Sequence, residues 1–397
     1  MTTPSAGPMA DRLTAYADSL RDLGAICTHA VHAAFATVPR HRFLPHFRYR
    51  ADECTLDADR EPPDELLDIV YANTSLLTHT GHDGDPASSS SAPSIMAKML
   101  EALALRPGLR TLEIGTGTGY NSALIHHITG ASVVTMDAGH HAATEAATAL
   151  RAQGLEGQVH VIRSDGYPGY PEGAPYDRII VTCGIAGIPP QWLDQLAPEA
   201  VIIAPVAHAG VHPIVAAYRR PDTNALEGRV LLWGDFMSAV GQLRPAELFH
   251  HDPARDIFTT EVRQVPEVGV ILDQTQYHDL WCYLGTCDDR ITRAYPDTNA
   301  FDLALGACAL VEPEAGTAWI HTDGTMTITG NPEVGDQLAD LVQQWDTAGR
   351  PRVCDWSIDW RGTRGDADPT GLLRPHRWQP EHTSPNMRQL YACRSHS

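Results

Sequence analysis

The sequence predicts an α/β fold with an open sheet in its first part and a smaller α+β domain in its last part. Short apolar runs alternate with helical patterns between residues 110 and 204, and a glycine-rich turn follows the first of these runs. The alternation stops near Gln242. At 397 residues the chain exceeds the size of one comfortable core. We therefore expect two domains, residues 1–240 and residues 241–397.

Five apolar runs are expected to form the strands of the open sheet, because each has strand length and ends in a turn or a polar residue. They cover residues 110–114, 132–136, 158–163, 176–182 and 200–204. Helical spacing precedes the first run in residues 11–36 and 93–103, and follows its turn in residues 121–129. The acidic stretch 52–68 is expected to be an exposed loop.

The later part of the chain does not continue this alternation of strands and helices. Residues 214–219 and 229–233 are expected to pair as antiparallel strands, and residues 318–322 and 325–329 as a hairpin. Residues 338–345 carry a helical apolar stripe, and residues 354–360 alternate like one face of a strand. The segment after Arg361 is expected to be an irregular tail.

The turn after the first strand is the strongest functional signal. Its residues are Gly115, Thr116, Gly117, Thr118 and Gly119. Glycine lets the backbone approach a ligand closely, but the spacing differs from the dinucleotide pattern and the lysine of a P-loop is absent. Glu113 precedes the turn, and a carboxylate facing the ligand disfavours a pyrophosphate. It suits a ligand with a positive charge and an amine, such as S-adenosylmethionine.

Two further acids follow the next two strands. Asp137 lies about 20 residues beyond the first glycine, the offset of the ribose-binding acid in nucleotide-binding α/β units. Asp165 precedes Gly166, and its carboxylate can accept from an adenine amino group. Open α/β sheets bind ligands beyond the carboxyl ends of their strands, where these acids and Thr182 would lie. A glycine turn with a purely structural role is the alternative.

The composition of the chain disfavours several kinds of partner and site. The net charge of −20 disfavours nucleic acid, and the small basic cluster of Arg40, His41 and Arg42 is expected on the solvated surface. No run reaches membrane-spanning length and the start lacks a signal-peptide pattern, so we expect a cytoplasmic protein. Eight scattered cysteines are expected to be free thiols, and the histidines lack metal-motif spacing, so no metal is predicted.

Several segments together resemble the protein-L-isoaspartate O-methyltransferase family. Besides the glycine turn, they are residues 33–45, 90–94, 164–166, 175–182, 188–193 and 204–206, and the resemblance covers residues 25–240. It implies a class I, Rossmann-like fold that uses S-adenosylmethionine. Glu113 and the turn 115–119 would then hold the methionine moiety, Asp137 the ribose and Asp165 the adenine side.

The carboxylate that accepts the methyl group is expected to bind at a run of serines. The family's acceptor-contacting serine corresponds to Ser91, and the hydroxyls of Ser89 and Ser90, with backbone N–H groups near Ser94, would help to stabilise an acceptor carboxylate. A flexible linker is the alternative interpretation of this run.

Departures from the family pattern concern the acceptor. They lie at residues 87–91, 198–200 and 236–238. With the C-terminal extension, they resemble relatives that methylate an aspartate in a precursor peptide during lanthipeptide, lasso peptide or ω-ester peptide maturation, leading to aspartimide or isoaspartate. The expected partner is then a modified precursor peptide that carries an Asp. General isoaspartyl repair, or a binding protein without turnover, are the alternatives.

Overall fold

The computed structural model describes residues 8–57, 60–81, 86–220, 225–245, 263–265, 271–294, 306–361 and 371–380. The first part of the chain forms helices and a small antiparallel sheet. The helices are α1 (Pro8–Asp22), α2 (His29–Phe35), α3 (Asp64–Tyr71) and α4 (Pro93–Ala102). The strands are β1 (His46–Tyr49), β2 (Asp52–Thr55), β3 (Leu76–His79) and β4 (Ser88–Ser90), in the order β2-β1-β3-β4.

The middle of the chain forms a parallel sheet with crossover helices. Its strands are β5 (Thr111–Ile114), β6 (Val133–Asp137), β7 (Val159–Arg163), β8 (Tyr176–Val181) and β9 (Leu196–Pro205). The helices are α5 (Tyr120–Thr129), α6 (His140–Ala152) and the short α7 (Pro190–Leu193). The parallel order is β7-β6-β5-β8-β9, so the chain changes direction across the sheet between β5 and β8. The antiparallel strands β10 (Ile214–Arg219) and β11 (Leu226–Leu232) follow β9.

The last part of the chain contributes to two sheets. The strands β12 (Arg263–Val265), β13 (Ile291–Ala294), β14 (Ala307–Glu312), β15 (Gly316–Ile320) and β16 (Met326–Gly330) form an antiparallel sheet in the order β12-β16-β15-β14-β13. The helices α8 (Gln274–Cys287) and α9 (Pro332–Thr347) share its core. The strands β17 (Trp356–Arg361) and β18 (Arg374–Pro380) return to the central sheet beside β11, which therefore has nine strands.

The side chains of β5 alternate between the two hydrophobic cores on either face of the central sheet, and this alternation places Glu113. Leu112 and Ile114 pack into the core on one face of the central sheet. Thr111 and Glu113 point to the other face, where α4 and α5 pack over Val133 and Ile180. The acid before the glycine turn is therefore inside the protein, under α5.

The five parallel strands, the pair β10–β11, the hairpin β15–β16, α9 and β17 confirm the expectations from the sequence. The helical stretch 11–36 is confirmed and forms two helices, α1 and α2. Two expectations are wrong. The acidic stretch 52–68 contains β2 and α3, and β18 lies within the expected irregular tail. β18 belongs to a sheet because it pairs with β17 through six register positions, a long-range contact that local composition does not reveal.

Two expectations about polar residues are also wrong. Arg40 and His41 are buried, with 0% and 5% of their surface exposed, instead of lying on a solvated surface. Six described cysteines are free, whereas Cys27 is disulfide-bonded. Among the described helices, none combines the length and the apolar character needed to cross a bilayer.

Candidate cofactor and acceptor site

A cleft of about 550 Å3 opens beyond the carboxyl ends of β5, β6, β7 and β8. This volume lies within the range of small-molecule sites, roughly 300–1,000 Å3. The expected cofactor residues that line it are Glu113, Gly115, Thr116, Gly117, Thr118, Asp137, Asp165, Gly166 and Thr182. The expected acceptor residues Ser89, Ser90 and Ser91 line it as well. One cleft thus brings together both sets of residues.

The glycine turn has a backbone that side chains would obstruct. Gly115, Gly117 and Gly119 have φ values of +100°, +54° and +80°. A Cβ on Gly115 would overlap the hydroxyl of Thr182, which donates to Gly115 O. A Cβ on Gly117 would lie 3.4 Å from Ser89 O, so β4 runs directly against the turn.

Gly119 differs from the other two glycines because it is not part of the cleft wall. It is the N-cap of α5, and a Cβ there would lie 3.2 Å from Leu150 and 3.3 Å from Ala146, both on α6. The expectation that Gly119 contacts the cofactor is therefore replaced by a packing role between α5 and α6.

Glu113 is fully buried and is held by three side chains of the protein. Its carboxylate accepts hydrogen bonds from Asn121 Nδ2 and Thr135 Oγ1, both at 2.8 Å, and from the Ser122 hydroxyl. Burial raises the pKa of Glu113 to about 7, although these hydrogen bonds oppose the shift. Glu113 thus forms the floor of the cleft and ties α5 to β5 and β6, instead of facing a ligand freely.

Asp137 and Asp165 stand on the cleft wall and are fixed by backbone N–H groups. Asp137 accepts from Gly117 N at 3.0 Å and from Gly139 N at 2.8 Å, which links the end of β6 to the glycine turn. Asp165 accepts from Tyr167 N at 2.9 Å. A Cβ on the neighbouring Gly166 would lie 2.6 Å from Ile114, so glycine is needed there for packing.

The serine run is a strand with two distinct faces, and the flexible-linker alternative is wrong. β4 pairs antiparallel with β3, so Ser88 and Ser90 are buried while Ser89 and Ser91 are half-buried. The Ser90 hydroxyl accepts from Arg40 and anchors the strand instead of facing an acceptor.

One expected donor at the acceptor is engaged elsewhere. Ser94 N donates to Asn73 Oδ1 at 2.9 Å, so the first N–H groups of α4 do not all point into the cleft.

Arg40 is the buried residue that holds β4 in place. Its guanidinium donates to Val70 O at 2.7 Å, Ser91 O at 2.9 Å and Thr74 O at 3.2 Å, besides the Ser90 hydroxyl. These acceptors are neutral, so a positive charge lies directly behind the serine strand. The sequence could not indicate this role, because the acceptors are 30 to 51 residues away along the chain.

Further cleft residues were not among the expected site residues. Residues 235–240 form one wall, and Gly184 exchanges backbone hydrogen bonds with Met237 and Ala239. Arg48 and Arg50, both exposed, line the side formed by the small sheet. Only the family pattern had pointed to residues 236–238, and nothing local had pointed to the arginines.

The residues of the cleft fit S-adenosylmethionine. Asn121 Oδ1, buried beside Glu113 at the cleft, has no hydrogen-bond partner among the described residues, which suits an ammonium donor. Gly115 and Gly117 have positive φ values and no side chains, so the backbone of the turn is open to a ligand in the cleft. The acids at the ends of β6 and β7 supply acceptors for hydroxyl and amino groups.

Comparison with known proteins identifies the family. The family model "Protein-L-isoaspartate(D-aspartate) O-methyltransferase (PCMT)" matches residues 12–243. The protein-L-isoaspartate O-methyltransferase of Methanopyrus kandleri is 33% identical over 191 residues, which are 48% of this chain and 74% of that protein. The protein-L-isoaspartate O-methyltransferase of Gloeobacter violaceus is 37% identical over 189 residues, which are 48% of this chain and 79% of that protein. The chain belongs to the protein-L-isoaspartate O-methyltransferase family. It is an S-adenosylmethionine-dependent carboxyl O-methyltransferase with a class I, Rossmann-like fold.

A solved structure extends the likeness of fold beyond the family segment. A chain named protein-L-isoaspartate O-methyltransferase aligns with a TM-score of 0.53 at 24% identity, and covers 91% of this chain and 98% of its own length. Such coverage includes most of the residues after 243. Most of the C-terminal extension is therefore part of the fold that the two chains share. The extension does not by itself indicate precursor-peptide maturation.

Proposed function

We propose that the protein transfers a methyl group from S-adenosylmethionine to the free carboxylate of an isoaspartyl residue in a protein or peptide. The observation that carries this proposal is the contact between β4 and the glycine turn, where a Cβ on Gly117 would lie 3.4 Å from Ser89 O. A carboxylate held on β4 would therefore meet a methyl donor held at the turn inside one cleft. The family membership supports this acceptor chemistry.

The acceptor end of the cleft suits an anion. Ser89, on β4, and Ser91, directly after it, are half-buried and line the cleft, so their hydroxyls can donate to an acceptor carboxylate. The buried Arg40 charge behind the strand offsets part of the cost of removing that carboxylate from water. Arg50 adds positive charge beside the cleft of a protein whose net charge is −20, which favours an acidic peptide there, whereas Arg48 pairs with Glu53.

The reaction needs positioning more than acid–base chemistry. When bound, S-adenosylmethionine supplies a methyl carbon activated by a positively charged sulfur. A carboxylate with a pKa near 4 is already deprotonated at pH 7, so no general base is needed. The described residues that line the cleft include no histidine, and burial raises the pKa of the Cys183 thiol to about 12, so this thiol does not compete as a nucleophile. Alignment of two reactants can contribute about 7–11 kcal/mol.

A second candidate is methylation of an ordinary aspartate in a ribosomally made precursor peptide, followed by aspartimide or isoaspartate formation. It is supported by the sequence departures at residues 87–91 and 236–238, because both segments line the cleft on the acceptor side. In this case the methyl ester is attacked by the next backbone nitrogen with loss of methanol, a step that can occur after release.

The test compares matched peptides that differ only in an isoaspartyl or an aspartyl residue. With S-adenosylmethionine, we expect the isoaspartyl peptide to gain the mass of one methyl group and the aspartyl peptide to remain unchanged. Ser91→Ala should lower kcat/KM for the isoaspartyl peptide by roughly tenfold or more, since one hydrogen bond to a charged group is lost. Ser357→Ala, on β17, is the matched control and should leave it unchanged.

The second candidate would be favoured if the aspartyl peptide, or a co-expressed precursor, is methylated while the isoaspartyl peptide remains unmodified. Binding of S-adenosylmethionine by calorimetry without transfer to any of these peptides would contradict both.

A further inference from the structure

Two histidines and a glutamate converge where the small sheet meets α6. His46 begins β1, and His141 and Glu145 lie four residues apart on α6. His46 Nδ1 is 3.5 Å from Glu145 Oε1, and His141 Nε2 is 3.2 Å from Glu145 Oε2. One ligand atom from each residue lies within 4.8 Å of the other two. None of these side chains lines the cofactor cleft, so the cluster is separate from the site above.

The tautomer of His46 makes this cluster attractive to a cation. His46 Nε2 lies 3.0 Å from Thr78 O, and a carbonyl only accepts, so Nε2 carries the proton. In the neutral ring, Nδ1 then presents a lone pair towards the carboxylate of Glu145, which also only accepts. The lone pair of His46 Nδ1 and the carboxylate of Glu145 repel each other unless a cation lies between them. A histidine that binds a metal usually donates its other N–H to such a carbonyl.

We propose that His46, His141 and Glu145 bind a divalent transition-metal ion of the Zn2+ class. Zinc–ligand distances near 2.0–2.1 Å give roughly 3.3 Å between ligands of a tetrahedral site. The separations from the Glu145 carboxylate, 3.2 Å between Oε2 and His141 Nε2 and 3.5 Å between Oε1 and His46 Nδ1, are close to that spacing. Two imidazoles and one carboxylate suit zinc, whereas calcium and magnesium prefer oxygen ligands. A water molecule would complete the four ligands.

The surroundings give the ion a structural role. His79, at the end of β3, stacks on the His141 ring with centroids 4.4 Å apart and planes at 27°, which restrains the orientation of that ring. The ion would join β1, in the sheet that carries the acceptor strand, to α6, which begins three residues after Asp137. It would thus clamp the acceptor half of the molecule onto the cofactor half.

The test uses the full-length protein stripped with a chelator and then titrated with Co2+ or Zn2+. We expect one equivalent of Co2+ to give the visible absorption bands of a four-coordinate site, and Zn2+ to raise the melting temperature. His141→Ala and Glu145→Gln should each weaken binding by at least about tenfold. His160→Ala removes an exposed histidine of β7 and should bind like the wild type.

A second measurement needs no variant. Zn2+ should protect His46 and His141 from diethyl pyrocarbonate in the wild-type protein, and should leave the modification of His160 unchanged. The proposal is overturned if protection is absent, or if folded variants bind Co2+ with the wild-type stoichiometry and affinity.

Discussion

At the scale of single residues, Glu113 shows how burial changes the role of an acid. Its carboxylate is 0% exposed, and burial raises its pKa to about 7 against the hydrogen bonds from Ser122, Asn121 and Thr135. Because the folded protein holds the proton more tightly than the unfolded chain, this residue favours folding at low pH. The contribution is lost as the pH rises from about 4.5 to about 7.

Replacing Glu113 by Gln should therefore alter the pH dependence of stability. Between pH 5 and pH 8, the free energy of unfolding of Glu113→Gln should rise relative to the wild type by about 2–3 kcal/mol. Urea denaturation across this range measures the difference. Glu172→Gln, at an exposed position, is the matched control. A constant difference for Glu113→Gln would mean that Glu113 is ionised in the folded protein.

The residues of the cofactor side could be predicted because their signal is local. A strand, a glycine turn and an acid at each of the next two strand ends place Asp137 and Asp165 without any long-range contact. Arg40 could not be predicted, since a buried arginine and a solvated one look alike in sequence. The cluster at His46 was missed for the same reason, because only the fold brings β1 to the helical pair His141 and Glu145.

At the scale of elements, β4 depends on one side chain. Arg40 connects it to the end of α3 and to the segment that leads into β3 through hydrogen bonds to backbone carbonyls. A lysine has three donors on one nitrogen and cannot reach groups that are spread around a planar guanidinium. Loss of Arg40 therefore leaves buried carbonyls without a donor and loosens the strand that lies against Gly117.

Arg40→Lys should destabilise the protein by about 3 kcal/mol, a typical cost of breaking a buried hydrogen-bonded charge. Hydrogen exchange should accelerate most in residues 86–92, and KM for the peptide should rise more than KM for the cofactor. Arg12→Lys is the matched control, because Arg12 pairs with the exposed carboxylates of Asp64 and Asp68, and it should cost less than about 1 kcal/mol. Equal costs for the two variants would refute this role of Arg40.

The strands also differ in whether the local sequence predicts them. The five parallel strands were predictable because buried strands of a parallel sheet are continuous apolar runs. β18 was not, because its sequence is polar and its strand character comes from pairing with β17. β2 and β4 are likewise polar strands of the small sheet, and β4 is recognisable only through its partner β3.

At the scale of the whole molecule, the C-terminal region supports the rim of the cleft. Arg293, on β13, forms an ion pair with Asp235, whose other oxygen accepts from His212 Nδ1 at 3.2 Å. Burial alone would raise the pKa of Asp235, but His212 and Arg293 outweigh it and hold this pKa below its usual value. Asp235 begins the wall of residues 235–240, so the second sheet contacts the acceptor side through a charged pair.

This arrangement makes a truncation near residue 245 a poor test of the C-terminal region. Such a deletion would also remove β17 and β18 and expose the edge of β11 in the central sheet. A single substitution separates the two effects, because it leaves both sheets intact.

Arg293→Gln should raise KM for the peptide by roughly threefold to tenfold, which corresponds to about 1 kcal/mol, while kcat changes little. The reason is that the carboxylate of Asp235 loses a partner and the wall that follows it becomes less well fixed. Steady-state kinetics with the methylated peptide measures both constants. Arg290→Gln, one residue before β13, is the matched control, since Arg290 pairs with Asp288 and Glu312 and does not line the cleft. If both variants change KM equally, the C-terminal sheet acts through general stability and not through the rim at Asp235.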